Sequence, residues 1–264
     1  MLRERLRRRL LGGVAVLALA VDPRAAEPPP ATEPPPVRHL VAPIVFVPTN
    51  YRHHFEDDAV RAFYQAKVVE AQRFFHLHNR NRTFAALPVE VVHGRRDHLW
   101  YWGAERNAFE YNVLFELQER GYPVHVDWDR FPRHRVAWVL AMGGGGWAGG
   151  RHYPTGGGFA MWGDALLFAG MDRHCDRVRP RFSGDPVPAT CRDVWLPSGR
   201  IYGYGVGAAI HELGHAFDLP HPPDGSPDWE ITVMGAHWNY PDTGLSDRDR
   251  AMLASSPFVQ EPHP

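Results

Sequence analysis

The segment from His211 to His221 carries residue types that bind a metal ion and activate water. It reads HELGHAFDLPH. Residues four apart on an α-helix lie on one face, about 6 Å apart along the axis, so the imidazoles of His211 and His215 can converge on one ion. Glu212 is rotated by about 100° from His211, which places its carboxylate near a water at the metal rather than at a third ligand position.

The chain cannot continue as a helix far beyond His215. Pro220 disfavours helical geometry at the preceding Leu219, and two further prolines follow His221. We expect the resulting turn to return His221 to the same ion. Three neutral imidazoles and one water are the ligands of an open, catalytic zinc site. The spacing therefore predicts one zinc ion held by His211, His215 and His221.

Two other interpretations of this segment are weaker. A surface helix with unrelated histidines does not explain a third His six residues after the HExxH motif. Other HExxH enzymes, of the thermolysin kind, take a Glu from a later helix as third ligand, and Glu230 lies at a plausible distance. Residues 227–230 show no helical pattern, however, so His221 is the favoured ligand.

The N-terminus has the pattern of a secretory signal peptide. Five arginines among the first nine residues precede an apolar run at 10–21, and an A-x-A cleavage sequence ends at Ala20. We predict a signal peptide at 1–20, a Pro-rich linker at 21–40 and a catalytic domain at 41–264. This predicts export to the periplasm, the cell surface or the extracellular space, with no membrane span in the mature chain. An uncleaved anchor is the alternative.

Charge argues against a nucleic-acid partner. The 264-residue chain has a formal net charge of −1, and beyond the N-terminal cluster its basic residues are scattered. Chains that bind nucleic acid concentrate positive charge on one face or in one stretch. We therefore expect no nucleic-acid partner.

Cys175 and Cys191 are the only cysteines of the chain. In an exported protein, such a pair in a loop-rich stretch predicts one disulfide, and two free thiols are the alternative. Closing a loop of this size would stabilise the fold by about 3 kcal/mol in the chain-entropy model.

Hydrophobic periodicity predicts alternating strands and helices. Apolar runs of strand length lie at 43–48, 87–92 and 135–142. The last of these is apolar on both faces and is therefore predicted to be a central strand. Helical spacing is present at 56–78, 105–120, 202–218 and 247–255. Two further short strands, 159–162 and 165–169, read as a hairpin that turns at Gly163-Asp164.

A glycine-rich stretch at 143–158 surrounds Trp147, His152 and Tyr153. It lacks the GK[ST] sequence and the following helix of a phosphate-binding loop. A flexible loop and a substrate-binding rim are both compatible with it, because glycines permit a close approach of backbone to ligand. His152 is a candidate substrate contact.

The pattern HExxHxxDxxH, followed by Met234 in a predicted turn, resembles the metzincin zinc endopeptidases. The resemblance is specific over 210–235 and only architectural over 41–169. It implies an α+β fold: a mixed five-stranded sheet with backing helices, an active-site helix and a small lower C-terminal subdomain. It also implies a peptide substrate lying along an antiparallel edge strand, and Met234 as an apolar floor beneath the metal ligands. The helix at 105–120 would be an insertion.

Two residues depart from the metzincin pattern. Metzincins usually have Gly at the position of Asp218, where the chain turns with positive φ, and Asp is among the few other residues that tolerate this region. Astacin-like and serralysin-like members carry a Tyr two residues after the Met, where this chain has Ala236. His237 or Tyr240 could instead contact the oxyanion.

Together these residues predict a zinc-dependent endopeptidase. Zinc would lower the pKa of its bound water towards about 7. Glu212 would take the proton as the water attacks the scissile carbonyl and would deliver it to the leaving amine. Two alternatives are a non-catalytic cell-surface binding module on the same fold and a metal-dependent hydrolase of non-peptide amides. The intact motif argues against the binding module, because binding does not require the Glu.

Overall fold

A computed structural model describes residues 38–52, 56–103, 108–164 and 201–261, with the backbone alone at 201–204. Four of the sequence predictions fall outside these ranges: the signal peptide, most of the Pro-rich linker, the strand at 165–169, and the pair Cys175 and Cys191. They stay predictions, as does the start of the catalytic domain. Within the described ranges, no helix has both the length and the apolarity that crossing a bilayer requires.

Strands and helices alternate along the described residues. The strands are β1 (Leu40–Val47), β2 (Thr83–Phe84), β3 (Glu90–His93), β4 (Arg135–Ala141), β5 (Ala148–His152), β6 (Gly158–Gly163) and β7 (Val259–Gln260). The helices are α1 (Asp57–His78), α2 (His98–Trp102), α3 (Ala108–Glu119), α4 (Ile201–Ala216), α5 (Asp228–Ile231) and α6 (Asp247–Ser255). Short 3₁₀ turns are formed by Thr49–Tyr51, Trp128–Arg130 and His237–Asn239.

Five of the strands form one mixed sheet in the order β3-β1-β4-β6-β5. The pairs β1–β3, β1–β4 and β4–β6 are parallel, whereas β5 runs antiparallel to β6 at the edge. This confirms the predicted mixed five-stranded sheet and the central position of β4. The two shortest strands, β2 and β7, pair separately and join the end of the described chain to the segment after α1.

Each face of the sheet is covered by helices, as the two apolar faces of β4 require. Trp138 and Leu140 point into the cluster that contains residues of α1 and α4. Ala137 and Val139 point into the opposite cluster, which α3 fills with Phe109, Val113, Leu114 and Leu117. Each such large side chain contributes about 1.5–3 kcal/mol when fully buried. The helix expected as an insertion therefore covers the second face of the sheet.

The predicted hairpin at 159–169 is wrong in its pairing. Strand β6 covers the first half of that segment, but its two neighbours are β4 and β5, and Gly163 still lies within β6. The antiparallel partner comes from the glycine-rich stretch that precedes it. Hydrophobic alternation could not reveal β5, because Gly149 and Gly150 occupy two of its five positions.

The C-terminal part begins with a reversal after α4 and ends with a capped helix. Ser246 and Asp249 form a reciprocal capping box at the N-terminus of α6, in which each side chain accepts from the other residue's backbone N–H. This confirms the predicted helix and its cap. Helix α5 is a correction to the sequence analysis, because the stretch around Glu230 shows no helical periodicity yet forms one turn of helix.

Candidate metal centre

Helix α4 is buried along most of its length and is held by close backbone packing. A Cβ at Gly207 would clash with the carbonyl oxygen of His237, and one at Gly214 would clash with the sulfur of Met234. From the sheet side, a Cβ at Gly150 would clash with the carbonyl oxygen of Glu212. The small residues of the helix and of β5 thus permit contacts that offset the low helix propensity of glycine.

Three imidazoles converge beside the C-terminal half of α4. The Nε2 atom of His215 lies 3.0 Å from that of His211 and 3.0 Å from that of His221, and the remaining pair is 3.2 Å apart. In a tetrahedral zinc site with Zn–N bonds of about 2.0–2.1 Å, two nitrogens stand about 3.3–3.4 Å apart. Among the described residues, these three form the cluster with ligand atoms close enough to share an ion.

The opposite nitrogens of two of the rings are fixed by backbone carbonyls. His211 Nδ1 lies 2.8 Å from the carbonyl oxygen of Val233, and His215 Nδ1 lies 2.7 Å from that of Leu219. A carbonyl accepts a hydrogen bond, so each Nδ1 carries the proton and each Nε2 presents its lone pair to the common point. This is the arrangement by which outer partners orient metal-ligating histidines. The residues therefore fit a zinc ion.

The turn that brings His221 to the other two rings depends on Asp218. This residue has a φ of +73°, in the left-handed region. The backbone N–H groups of Asp218 and Leu219 donate to the carbonyls of His215 and Gly214, both at 3.0 Å, which closes the end of the helix. The helix consequently stops at Ala216, two residues before the predicted end.

Burial keeps the imidazoles of His211 and His215 neutral. Desolvation, followed by the nearby rings of His215 and His237, lowers the pKa of His211 to about 3. Desolvation also lowers the pKa of His215. A neutral imidazole is the form that donates a lone pair to a metal, so the protonation state of these two residues matches metal binding.

Glu212 is a buried carboxylate next to this cluster. Burial raises its pKa to about 8, with a smaller contribution from the carboxylate of Glu110. A carboxyl with a raised pKa accepts a proton more readily at neutral pH. The position of Glu212 on α4, one residue after the first His, is the one that the sequence analysis assigned to the proton-transferring group.

Met234 lies beneath the helix that carries the imidazoles. Its side chain is fully buried, and its sulfur packs against Gly214. The segment turns there, with the N–H of Gly235 donating to the carbonyl of Thr232 at 3.2 Å. The preceding residue, Val233, supplies the carbonyl that orients His211. The sulfur of Met234 therefore packs on α4, the helix that carries His211 and His215.

Of the three candidate substrate contacts, His237 lies with the cluster. Its ring centre is 4.7 Å from that of His211, and desolvation, followed by His221 and His215, lowers its pKa to about 4. The hydroxyl of Tyr240 instead donates to Glu70 of α1 at 3.0 Å. The ring of His152 lies at the end of β5, with Nδ1 3.3 Å from the carbonyl oxygen of Ala216.

The sequence analysis did not identify two residues near the metal centre. Arg151 of β5 and Glu110 of α3 form an ion pair of 2.8 Å, and the charge of Glu110 acts on Glu212. A Glu among the mostly apolar buried residues of this helix was the available signal, since charged residues are seldom buried without a partner. Glu230, the alternative third ligand, is exposed and does not belong to the cluster of possible ligands among the described residues.

The mixed five-stranded sheet and the helix with its histidine cluster define a metzincin-like fold. One solved structure with this fold is wild-type OgpA from Akkermansia muciniphila, at a TM-score of 0.50 and 15% identity. The similarity covers 86% of this chain and 62% of OgpA, so the chain spans less than two thirds of that protein. At this identity the likeness concerns the fold.

Two weaker structural similarities accompany this one. A catalytically inactive OgpA in complex with an O-glycopeptide substrate, glycodrosocin, has a TM-score of 0.49 at 14% identity and covers 84% of this chain and 61% of its own. Archaemetzincin from Methanopyrus kandleri has a TM-score of 0.39 at 14% identity and covers 84% of this chain and 97% of its own. No protein-family model matches the sequence, and no curated protein does.

Proposed function

We propose that this protein is a zinc-dependent endopeptidase that hydrolyses internal peptide bonds with water. The observation that carries the proposal is the convergence of three imidazole Nε2 atoms within 3.0–3.2 Å of one another, next to a buried carboxylate. His211, His215 and His221 would hold one Zn²⁺. When bound, the ion supplies a Lewis acid that polarises the scissile carbonyl and lowers the pKa of a coordinated water to about 7.

Glu212 is the proposed general base and then the general acid. It accepts a proton from the attacking water as the new C–O bond forms at the carbonyl carbon. It returns that proton to the amide nitrogen as the C–N bond breaks, so that the products are a carboxylic acid and an amine. Its raised pKa makes it a stronger base than an exposed carboxylate. Without Glu212 the three imidazoles would still hold the zinc ion, but the proton transfer would lack its acceptor.

His237 and Met234 have supporting roles in the proposed reaction. A neutral His237 beside the cluster would donate a hydrogen bond to the oxygen that becomes negative as the water attacks. Met234 would fill the space beneath α4 with an apolar side chain and exclude water from it, without binding the metal. Tyr240 bonds to Glu70 and His152 lies near Ala216, so neither is given a step in this mechanism.

The proposed substrate is a peptide in an extended conformation. Strand β5 hydrogen-bonds to β6 on one side, and no other described strand pairs with it. An extended peptide can add to such an edge through main-chain hydrogen bonds. We further propose that the chain is exported, with cleavage of the signal peptide after Ala20 and a disulfide between Cys175 and Cys191. N-terminal sequencing and mass measurement under non-reducing conditions of the exported protein test both statements.

The test of the proposed function is a cleavage profile of the zinc-loaded protein on a peptide library that includes an O-glycosylated peptide, beside the Glu212→Gln and His221→Ala variants. We expect internal cleavage that a chelator abolishes and zinc restores. Glu212→Gln should bind one zinc per chain and lose about 100-fold or more in kcat, whereas His221→Ala should lose zinc. A Glu212→Gln variant as active as the parent would refute the assigned role.

Two outcomes would replace the proposal with the alternatives. Stoichiometric zinc with no cleavage of any peptide would favour a binding module. Cleavage confined to small non-peptide amides would favour a different amide hydrolase.

A further inference from the structure

An ion pair with a buried carboxylate joins helix α3 to the edge strand of the sheet. Arg151 Nη2 lies 2.8 Å from Glu110 Oε2, and the side chain of Glu110 is only 8% exposed whereas that of Arg151 is 52% exposed. A carboxylate removed from water is costly unless a cation faces it. Among the described residues, Arg151 is the cation hydrogen-bonded to Glu110. The pair therefore links this part of β5 to α3.

Strand β5 is also held by its backbone bonds to β6 and by the packing of Gly150 on α4. Its sequence, AGGRH, contains two glycines, which lower the conformational preference of the backbone for a strand. Its backbone bonds go to β6, because it is the edge strand. Successive side chains of a strand point to opposite faces. At Gly150, the position that a Cβ would occupy faces α4, whereas the side chain of Arg151 faces α3.

The same two positions connect the strand to the metal centre. Gly150 packs directly on the carbonyl of Glu212, so a displacement of β5 changes the wall beside the proposed general base. Helix α3 is thus connected to the metal centre through the pair of Glu110 and Arg151 and through the packing of β5 on α4.

We propose that Glu110 is a positioning residue that acts through Arg151 to hold β5 in the place where an extended peptide pairs with it. This inference rests on the proposed function, because it assigns the strand to substrate alignment. The pair does not touch the reacting atoms. Its loss should weaken productive substrate binding, which raises KM, and should leave the proton transfer by Glu212 largely intact.

The first experiment measures kcat and KM for Arg151→Met, Arg151→Lys and Glu110→Gln and for the double variant Glu110→Gln/Arg151→Met. Displacing an aligned substrate by a fraction of an ångström is costly, so we expect KM to rise about ten-fold in Arg151→Met. Arg151→Lys keeps a cation, so its KM should stay close to that of the parent. The double variant should be no worse than the single ones, because partners of one pair are not additive.

A matched control is available on the same helix. Arg95 and Glu119 form an exposed pair of 3.2 Å that does not involve β5. Arg95→Met should therefore keep the KM of the parent. If Arg95→Met raised KM as much as Arg151→Met does, or if the double variant showed the sum of two independent losses, the positioning role would be wrong.

The second experiment measures the local stability of β5 without an activity assay. Amide hydrogen exchange of β5 should become faster in Arg151→Met, while exchange along α4 and the zinc content stay unchanged. Unchanged exchange in β5 would overturn the inference even if KM had risen. This readout also separates the two proposals. A parent protein that cleaves no peptide defeats the endopeptidase, whereas the exchange of β5 still decides whether the pair holds the strand.

Discussion

Asp218 is a single residue on which the third imidazole depends. It is one of three non-glycine residues with positive φ among those described, at +73°. A left-handed conformation costs an ordinary L-residue roughly 1–2 kcal/mol, and Asn and Asp tolerate it better than β-branched residues. The residue thus permits a turn for which glycine is the unstrained choice.

We predict opposite effects for two substitutions of Asp218. Asp218→Gly should raise the free energy of unfolding by up to about 1 kcal/mol, because it removes the strain of positive φ. Asp218→Val should lower it by about 1–2 kcal/mol and weaken zinc binding, since the turn returns His221 to the cluster. Urea unfolding of the metal-free protein and zinc titration measure the two effects. A Val variant with parental stability and zinc affinity would contradict this account of the turn.

The second residue-scale prediction concerns the proposed oxyanion contact. His237→Phe keeps a ring in the buried site but removes the hydrogen-bond donor. It should lower kcat by about 100-fold, the scale for loss of one such donor, with zinc content unchanged. Tyr240→Phe is the matched control, because it removes the bond to Glu70 and should alter kcat little. Equal losses in the two variants would assign His237 to packing rather than to catalysis.

Residue spacing predicts contacts that are local in the chain and misses those that are not. The approach of His221 to His211 and His215 follows from the helix period and from the proline that immediately precedes His221. The pair of Glu110 and Arg151 is separated by 41 residues, and one member lies in a glycine-rich stretch. Nothing in either local sequence specifies the other residue, so this contact required the folded chain.

At the scale of elements, β5 shows why glycines can be structural requirements. Gly150 lies against the backbone of Glu212, and neither backbone can yield without moving α4 or the strand. Gly149 lies against the outer edge of the Trp147 ring. A Cβ at Gly149 would stand 2.6 Å from that ring, and a side chain can move aside. The two neighbouring glycines therefore have different reasons to be present.

We predict that Gly150→Ala is far more damaging than Gly149→Ala. Overpacking against backbone costs about 1–3 kcal/mol, so Gly150→Ala should lower the free energy of unfolding by that amount and reduce peptide cleavage. Gly149→Ala should lower the free energy of unfolding by under about 1 kcal/mol, because the Trp147 ring can shift. Urea unfolding and the cleavage assay compare the two. Similar stabilities for both variants would show that β5 is not tightly packed on α4.

Elements with a clear hydrophobic period were predicted well, and those without one were not. The helices α1, α3 and α6 and the strands β1 and β4 lie within a few residues of their predicted ranges. Strand β5 was read as part of a glycine-rich loop, because its two glycines have no side chains that could show an alternating pattern. Helix α5 is one turn long, too short for a period of 3.6 residues to be visible.

At the scale of the whole molecule, the metal centre joins helix α4 to the segments that follow it in the chain. His211 and His215 belong to α4, His221 follows the reversal, and the segment of Val233 and Met234 supports the helix from below. An ion bound by all three imidazoles therefore stabilises the folded chain, since the unfolded chain does not preserve their arrangement.

The last prediction measures this coupling between zinc and folding. Free zinc at about 1,000 times its Kd should add about 4 kcal/mol to the free energy of unfolding of the parent, less any binding to the unfolded chain. Glu212→Gln should show the same gain, because it keeps the three imidazoles, whereas His221→Ala should show little. Thermal unfolding with zinc and with a chelator provides the comparison. An undiminished gain in His221→Ala would mean that zinc stabilises the chain from another site, and the assignment of the third ligand would fail.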